Sequence, residues 1–216
     1  MTAISTIAPS PRSTYRHGDL RRTLLEACIE LARRGGPDAV VLREATRRAG
    51  VAPNAAYRHF ASRQALLQAV RAAALSAVAR AMEDELATLS PDLPAADFAR
   101  ASVRAVGTAY LRFAQTETGL FRTAFAASDK LLQGTPELPT AGPGGLNPFE
   151  LLGAALDRLV QAGVMPPERR PGAEFLAWSA VHGLAMLVID GPLASVVGPQ
   201  MQRIGQRLLD MVEKGL

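Results

Sequence analysis

The spacing of apolar residues constrains this chain more than any other feature. Apolar side chains recur every three to four residues through most of its length, and no useful stretch alternates apolar and polar at period two. That pattern predicts an all-α fold of about nine helices. In the first, Leu20, Leu24, Ala27, Cys28 and Leu31 fall on one stripe, opened by Asp19 and stopped by Gly35, Gly36 and Pro37. A second pattern runs from 42 to 49 and ends at Gly50; Pro53 then opens a short segment to 60, pre-set for a first helical turn. From 62 to about 89 a long Ala-rich pattern predicts one connecting helix, closed by the Pro-containing stretch 90–94. Further helices are expected at 95–116, 119–132, 148–162, 172–190 and 199–214. Four Gly and four Pro among the fifteen residues 134–148 predict a mobile loop.

With 216 residues, 48% of them apolar, the chain can bury a sizeable core. Cys28 is the only cysteine, which forbids an internal disulfide and, with no Cys pair at ligand spacing, a structural zinc; a reducing interior is the expected setting. The start lacks a basic segment followed by an apolar one, so no secretory signal is read. The longest nearly uncharged apolar stretch, 175–189, has 15 residues and contains His182. A membrane span needs about 20. The expectation is a cytoplasmic protein with no membrane partner.

Charge is divided unevenly. Residues 1–80 hold 13 Arg against 5 acidic side chains, whereas 81–216 hold 11 basic and 15 acidic ones. The basic end is the one suited to a polyanion. It also carries helix-turn-helix spacing: two short helices, a turn containing Gly50, and a second helix free to enter a major groove. Val51 and Phe60 can anchor the unit, and Ala55 and Ala56 keep its second helix slim. Arg58 can reach a guanine edge and Asn54 an adenine edge or a phosphate. Tyr57, His59 and Arg63 suit phosphate oxygens. Each has a plainer reading: Tyr57 as a half-buried core aromatic, His59 as a brace on a neighbouring helix, the arginines as solvated charge.

The segment LREATRRAGVAPNAAYRHFASRQALLQAV resembles the N-terminal domain of tetracycline-repressor-like (TetR/AcrR) transcriptional regulators, over about residues 15 to 75. The turn glycine, the Tyr-x-His-Phe sequence and the following Ser-Arg carry the likeness. The resemblance implies that Pro53, Asn54, Ala55 and Arg58 face bases and that Tyr57, His59 and Arg63 contact phosphates, with Arg43 on the same DNA-binding surface. This sequence departs from the family pattern where Val41 and Ala52 replace helix-capping residues and Thr46 replaces a small apolar one. Each missing cap costs about 1 kcal/mol of helix stability.

The segments EFLAWSAVHGLAML and GLFRTAFA resemble the WHG-type C-terminal domain of the same family, over about 100 to 191. That likeness implies a ligand cavity inside a helical bundle and a homodimer made by the last two helices. Tyr110, Phe113, Phe121, Phe125, Trp178 and His182 are the large or polar side chains available to line a cavity, with Gly183 leaving room beside them. Each can equally be plain core. Apolar lining would suit an apolar or aromatic effector.

Enzymatic readings find little support: none of His17, His59 and His182 has an acidic residue three positions before it, and no phosphate-cradling Gly loop, His-Glu-x-x-His or Gly-x-Ser-x-Gly occurs. No catalytic residue, cofactor or metal is assigned. The expected organisation is an N-terminal arm at 1–14, a helix-turn-helix domain at 15–62 and a ligand-binding and dimerisation bundle at 63–216. The function expected of it is a ligand-responsive repressor that binds a palindromic operator in double-stranded DNA as a dimer. An effector-free activator or architectural protein, and a small-molecule-binding or enzymatic bundle, stand as alternatives.

Overall fold

The computed structural model describes residues 17–126 and 139–215. The expected arm at 1–14 and residues 127–132 of the expected sixth helix lie outside them. Ten α-helical segments account for most of the described residues, with no strand among them. They are α1 (His17–Gly35), α2 (Leu42–Arg48), α3 (Pro53–Tyr57), α4 (Arg63–Leu86), α5 (Ala95–Thr116), α6 (Thr118–Phe125), α7 (Pro148–Gln161), α8 (Ala173–Ile189), α9 (Ala194–Val197) and α10 (Met201–Gly215). Helix α6 ends at Phe125, where Ala126 leaves helical geometry with φ −53° and ψ 138°.

Local chemistry explains several boundaries. The Ser62 hydroxyl accepts the Ala65 N–H at 3.0 Å and caps α4. Asn147 and Glu150 form a reciprocal capping box at the start of α7. Neither Val41 nor Ala52 offers a side-chain cap to α2 or α3, as their residue types dictate; Pro53 supplies the pre-set first turn of α3 instead. Thr46 is buried on the inner face of α2, and its hydroxyl is satisfied by the Arg43 carbonyl at 2.9 Å. A hydroxyl therefore replaces an apolar residue without leaving an orphaned polar atom.

Buried apolar residues form one cluster that runs from Leu24 and Cys28 on α1 to Leu209 on α10. Burial pushes the Cys28 thiol up to about 11. Helix α4 packs against α1, α5, α6 and α7, and so connects the N-terminal helices to the bundle. At Gly119 the first turn of α6 meets the end of α1 so closely that a Cβ would lie 2.3 Å from the carbonyl oxygens of Ala32 and Arg33.

Among the described residues α4 is long and apolar enough to match a membrane span, with mean hydropathy 1.3 over its best window; half of that window is buried inside the protein, as for a core helix. One expectation needs correction. The segment expected to be a mobile loop is, over its described part, tied to α4. Ser76 donates to the Ala141 carbonyl at 2.7 Å, and the Gly144 N–H donates to Glu83 at 3.0 Å.

Candidate nucleic-acid interface and bundle cavity

Helices α2 and α3 are joined by a turn in which Gly50 takes φ +67°, a left-handed conformation that costs glycine nothing. The Val51 N–H returns to the Thr46 carbonyl at 3.0 Å and closes the turn. Ala56 and Phe60 are buried and hold α3 down, and the Arg21 guanidinium lies 5.2 Å from the centre of the Phe60 ring. Ala56 therefore packs inward and does not slim the outer face; Ala55 is half-buried.

Asn54, Tyr57, Arg58 and Arg63 project from the opposite side, with Tyr57 57% exposed, which removes the reading of that ring as core. His59 is half-buried, and Arg43 is exposed on α2. Pro53 occupies the first position of α3. Two neighbouring arginines are already engaged: Glu44 takes 2.7 Å and 3.0 Å contacts from Arg47 and Arg48, and those bonds hold its carboxyl down at about 2. Arg43, Arg58 and Arg63 have no ion pair among the described residues.

The bundle holds a cavity of about 130 Å³. Tyr110, Phe125 and Trp178 stand in its wall; Phe113, Phe121 and His182 do not, which corrects the expectation that all six line it. Phe121 is fully buried and packs edge-on to Tyr110, behind the wall, and Phe113 is likewise core. His182 acts on the wall indirectly. Its Nδ1 lies 2.7 Å from the Tyr110 hydroxyl, which also accepts the Trp178 indole N–H at 3.1 Å. Indole can only donate, and burial raises the Tyr110 pKa, so the phenol keeps its proton. The Tyr110 hydroxyl and His182 Nδ1 share a further hydrogen bond whose direction follows the histidine tautomer, and burial lowers the His182 pKa and so favours the neutral ring.

The periodicity alone did not mark Gln68, Arg71 and Leu75 on α4, Phe149 on α7, or Leu209 and Val212 on α10 as cavity residues. For Arg71 a signal existed, because it is the only charged side chain between Arg63 and Arg80. Gly183 faces open space and adds no room to the cavity. Along the same side of α8, Leu176 is 69% and Leu187 44% exposed, and on α10 Met211 is 62% exposed. Among the described residues no three His, Cys, Asp or Glu side chains gather as a metal site would require.

A Gly-turned helix pair with unpaired arginines, connected by one long helix to a hollow bundle, defines a helix-turn-helix regulator. A family model described as bacterial regulatory proteins of the tetR family matches residues 24–70, and one described as the tetracyclin repressor-like C-terminal domain matches 103–212. The chain belongs to the TetR family of transcriptional regulators. A structure of a protein of unknown function from Rhodococcus sp. RHA1 is similar over 95% of this chain and 99% of its own, at 25% identity and a TM-score of 0.71. The regulator FadR from Bacillus subtilis, solved with stearoyl-CoA, shares 12% identity over 90% of this chain and 98% of its own, with a TM-score of 0.59. A TetR variant from Acinetobacter baumannii AYE, solved with minocycline, shares 20% identity over 90% and 94%, with a TM-score of 0.56. At the last two identities the likeness concerns the fold. No curated protein matches the sequence.

Proposed function

We propose that this regulator is a homodimeric repressor which binds a palindromic operator through α2 and α3 and is released by a small molecule in the bundle cavity. Residues 15–62 serve as the DNA-reading unit and 63–216 as the sensing and dimerising one. The observation that carries the reading is the course of α4. It begins at the Ser62 cap, directly after the segment bearing Tyr57, Arg58 and His59, and its residues Gln68, Arg71, Ala72, Leu75 and Met82 form cavity wall. One continuous helix thus touches both the expected ligand and the base of the expected DNA-reading unit. Two relatives of the same fold were solved with small molecules.

Asn54 and Arg58 read base edges, while Pro53 and Ala55 let the backbone of α3 approach the duplex. Tyr57, His59, Arg63 and Arg43 engage phosphates and set the register. The exposed apolar side chains of α8 and α10 pair with their symmetry mates, placing two copies of α3 about 34 Å apart, one turn of the duplex. An effector that prefers a different α4 position lowers operator affinity, with coupling of about 1 to 3 kcal/mol.

Selection from random duplexes, followed by binding against salt, tests this. A palindromic site and a steep loss of affinity with added salt are expected. Arg58→Ala should cost about 1–3 kcal/mol and relax preference at one position of each half-site, whereas Arg63→Ala should weaken all duplexes alike and reduce the salt slope by about one. Salt-independent binding, or equal loss on all sequences for both variants, would remove the assignment.

A further inference from the structure

Arg71 is only 7% exposed, yet it is charged at any accessible pH. Its Nε donates to the Ala124 carbonyl at 3.0 Å, which ties α4 to the last turn of α6. Its second terminal nitrogen, Nη2, is buried and has no hydrogen-bond partner among the described residues. No described carboxylate pairs with it either, and its pKa is lowered by burial alone, with no neighbouring anion opposing the shift. Buried charges are ordinarily paired, because an uncompensated one is costly. A structural strut to Ala124 would use one nitrogen and would gain nothing from leaving another unsatisfied beside a cavity.

Arg71 belongs to the cavity wall, together with Gln68 one turn earlier on the same helix, while Leu75, Val103, Phe149 and Val181 make much of the remaining surface apolar. We propose that the cavity takes a small amphipathic monoanion, whose carboxylate is received by Arg71 and whose hydrocarbon or aryl body lies against Phe125, Phe149 and Trp178. The proposal rests on the bundle being the effector site and names the effector's chemistry. One cationic side chain in the wall matches one negative charge, so a carboxylate fits better than a phosphate dianion. A space of about 130 Å³ is the scale of one ring or a short hydrocarbon body, and its opening to solvent leaves room for a longer chain. Such a ligand would bridge α4 to α6 and α8, and it would act on α4 about 12 Å along the helix from Arg63.

Trp178 is the chain's single tryptophan and stands in the cavity wall, so its emission reports occupancy. The probes are octanoate and phenylacetate against their neutral amides, octanamide and phenylacetamide, titrated into the full chain with calorimetry in parallel. Both acids should shift Trp178 emission and bind at least tenfold more tightly than their amides. Arg71→Met should abolish that preference while amide binding persists, and Arg71→Lys should restore part of it. The comparison of acids with amides on the unaltered chain stands even if the variants fail to fold. Amides that bind as well as acids, or an acid preference that survives in Arg71→Met, would overturn the anion assignment and leave the cavity reading intact. Absence of binding by all four probes would overturn both.

Discussion

Arg58, which caps the end of α3, and Arg71 on α4 are the same residue type, and their surroundings separate them completely. Arg58 projects into solvent beside Asn54 and Tyr57, whereas Arg71 is enclosed with an unsatisfied nitrogen. Sequence spacing put Asn54, Arg58 and Arg63 outward, as the structure has them, but it left Tyr57 open and counted Ala56 toward the outer face, where the structure buries it. It did not distinguish Tyr110, Phe125 and Trp178, which line the cavity, from Phe113 and Phe121, which do not. All five are large apolar residues at helical spacing, and which of them borders a void depends on helices far away in the chain. His182 makes a testable case at this scale. Its folded pKa lies below the ordinary 6.5, so as pH falls through that value the unfolded chain takes up the proton first. The stability it contributes is complete above about pH 6.5 and is lost as pH falls through the lower folded value, when the buried ring takes on charge. The ring is only half-buried, so solvent screens part of the effect. Thermal unfolding from pH 8 to pH 5 should show this drop in the unaltered chain and a smaller one in His182→Gln. Equal pH dependence in the two proteins would count against the arrangement.

At the scale of helices, the capping deficits visible in the sequence persist in the structure. Ala52 has the extended conformation of a cap residue, with φ −67° and ψ 143°, but no side-chain oxygen to offer. Ala52→Ser should therefore satisfy an N–H at the start of α3 and stabilise the protein by about 1 kcal/mol. For a chain of this length that corresponds to a rise in Tm of about 2–4 °C, measurable by calorimetry. An unchanged or lower Tm would show that Pro53 and packing already satisfy this end. Helix boundaries were mostly legible because caps, Gly and Pro act over a few residues. Contacts such as Gly119 against the Ala32 and Arg33 carbonyls were not, since nothing local requires two helix ends so far apart in sequence to meet at backbone distance. The loop before α7 was misread for a similar reason. Its Gly and Pro content describes a chain with no partner, whereas Glu83 and Ser76 on α4 supply partners.

Across the whole molecule, α10 occupies a position between two surfaces. Leu209 and Val212 face the cavity, while Met211 turns outward beside the exposed side of α8. Ion pairs from Arg100 and Arg104 to Glu213 hold α10 against α5. If the outward side is the two-fold contact, occupancy of the cavity and geometry of the dimer are adjacent through one helix. Replacing Leu176 and Leu187 together by Glu should convert a dimer to a monomer in sedimentation at micromolar concentration. Operator affinity should then fall by at least tenfold, with helix content unchanged. A monomeric unaltered chain, or a variant that still dimerises, would remove α8 from the interface.

Taken alone, the sequence determined the all-α class, the order of the helices and the outward-facing arginines of the helix-turn-helix unit. Those properties follow from periodicity and turn chemistry, which operate between near neighbours. Only the tertiary structure decided where the bundle is hollow, which aromatics border that space and that Arg71 is enclosed there without a counter-charge. Voids and unpaired buried groups are properties of how separate helices fit together, and no residue carries them in its local sequence.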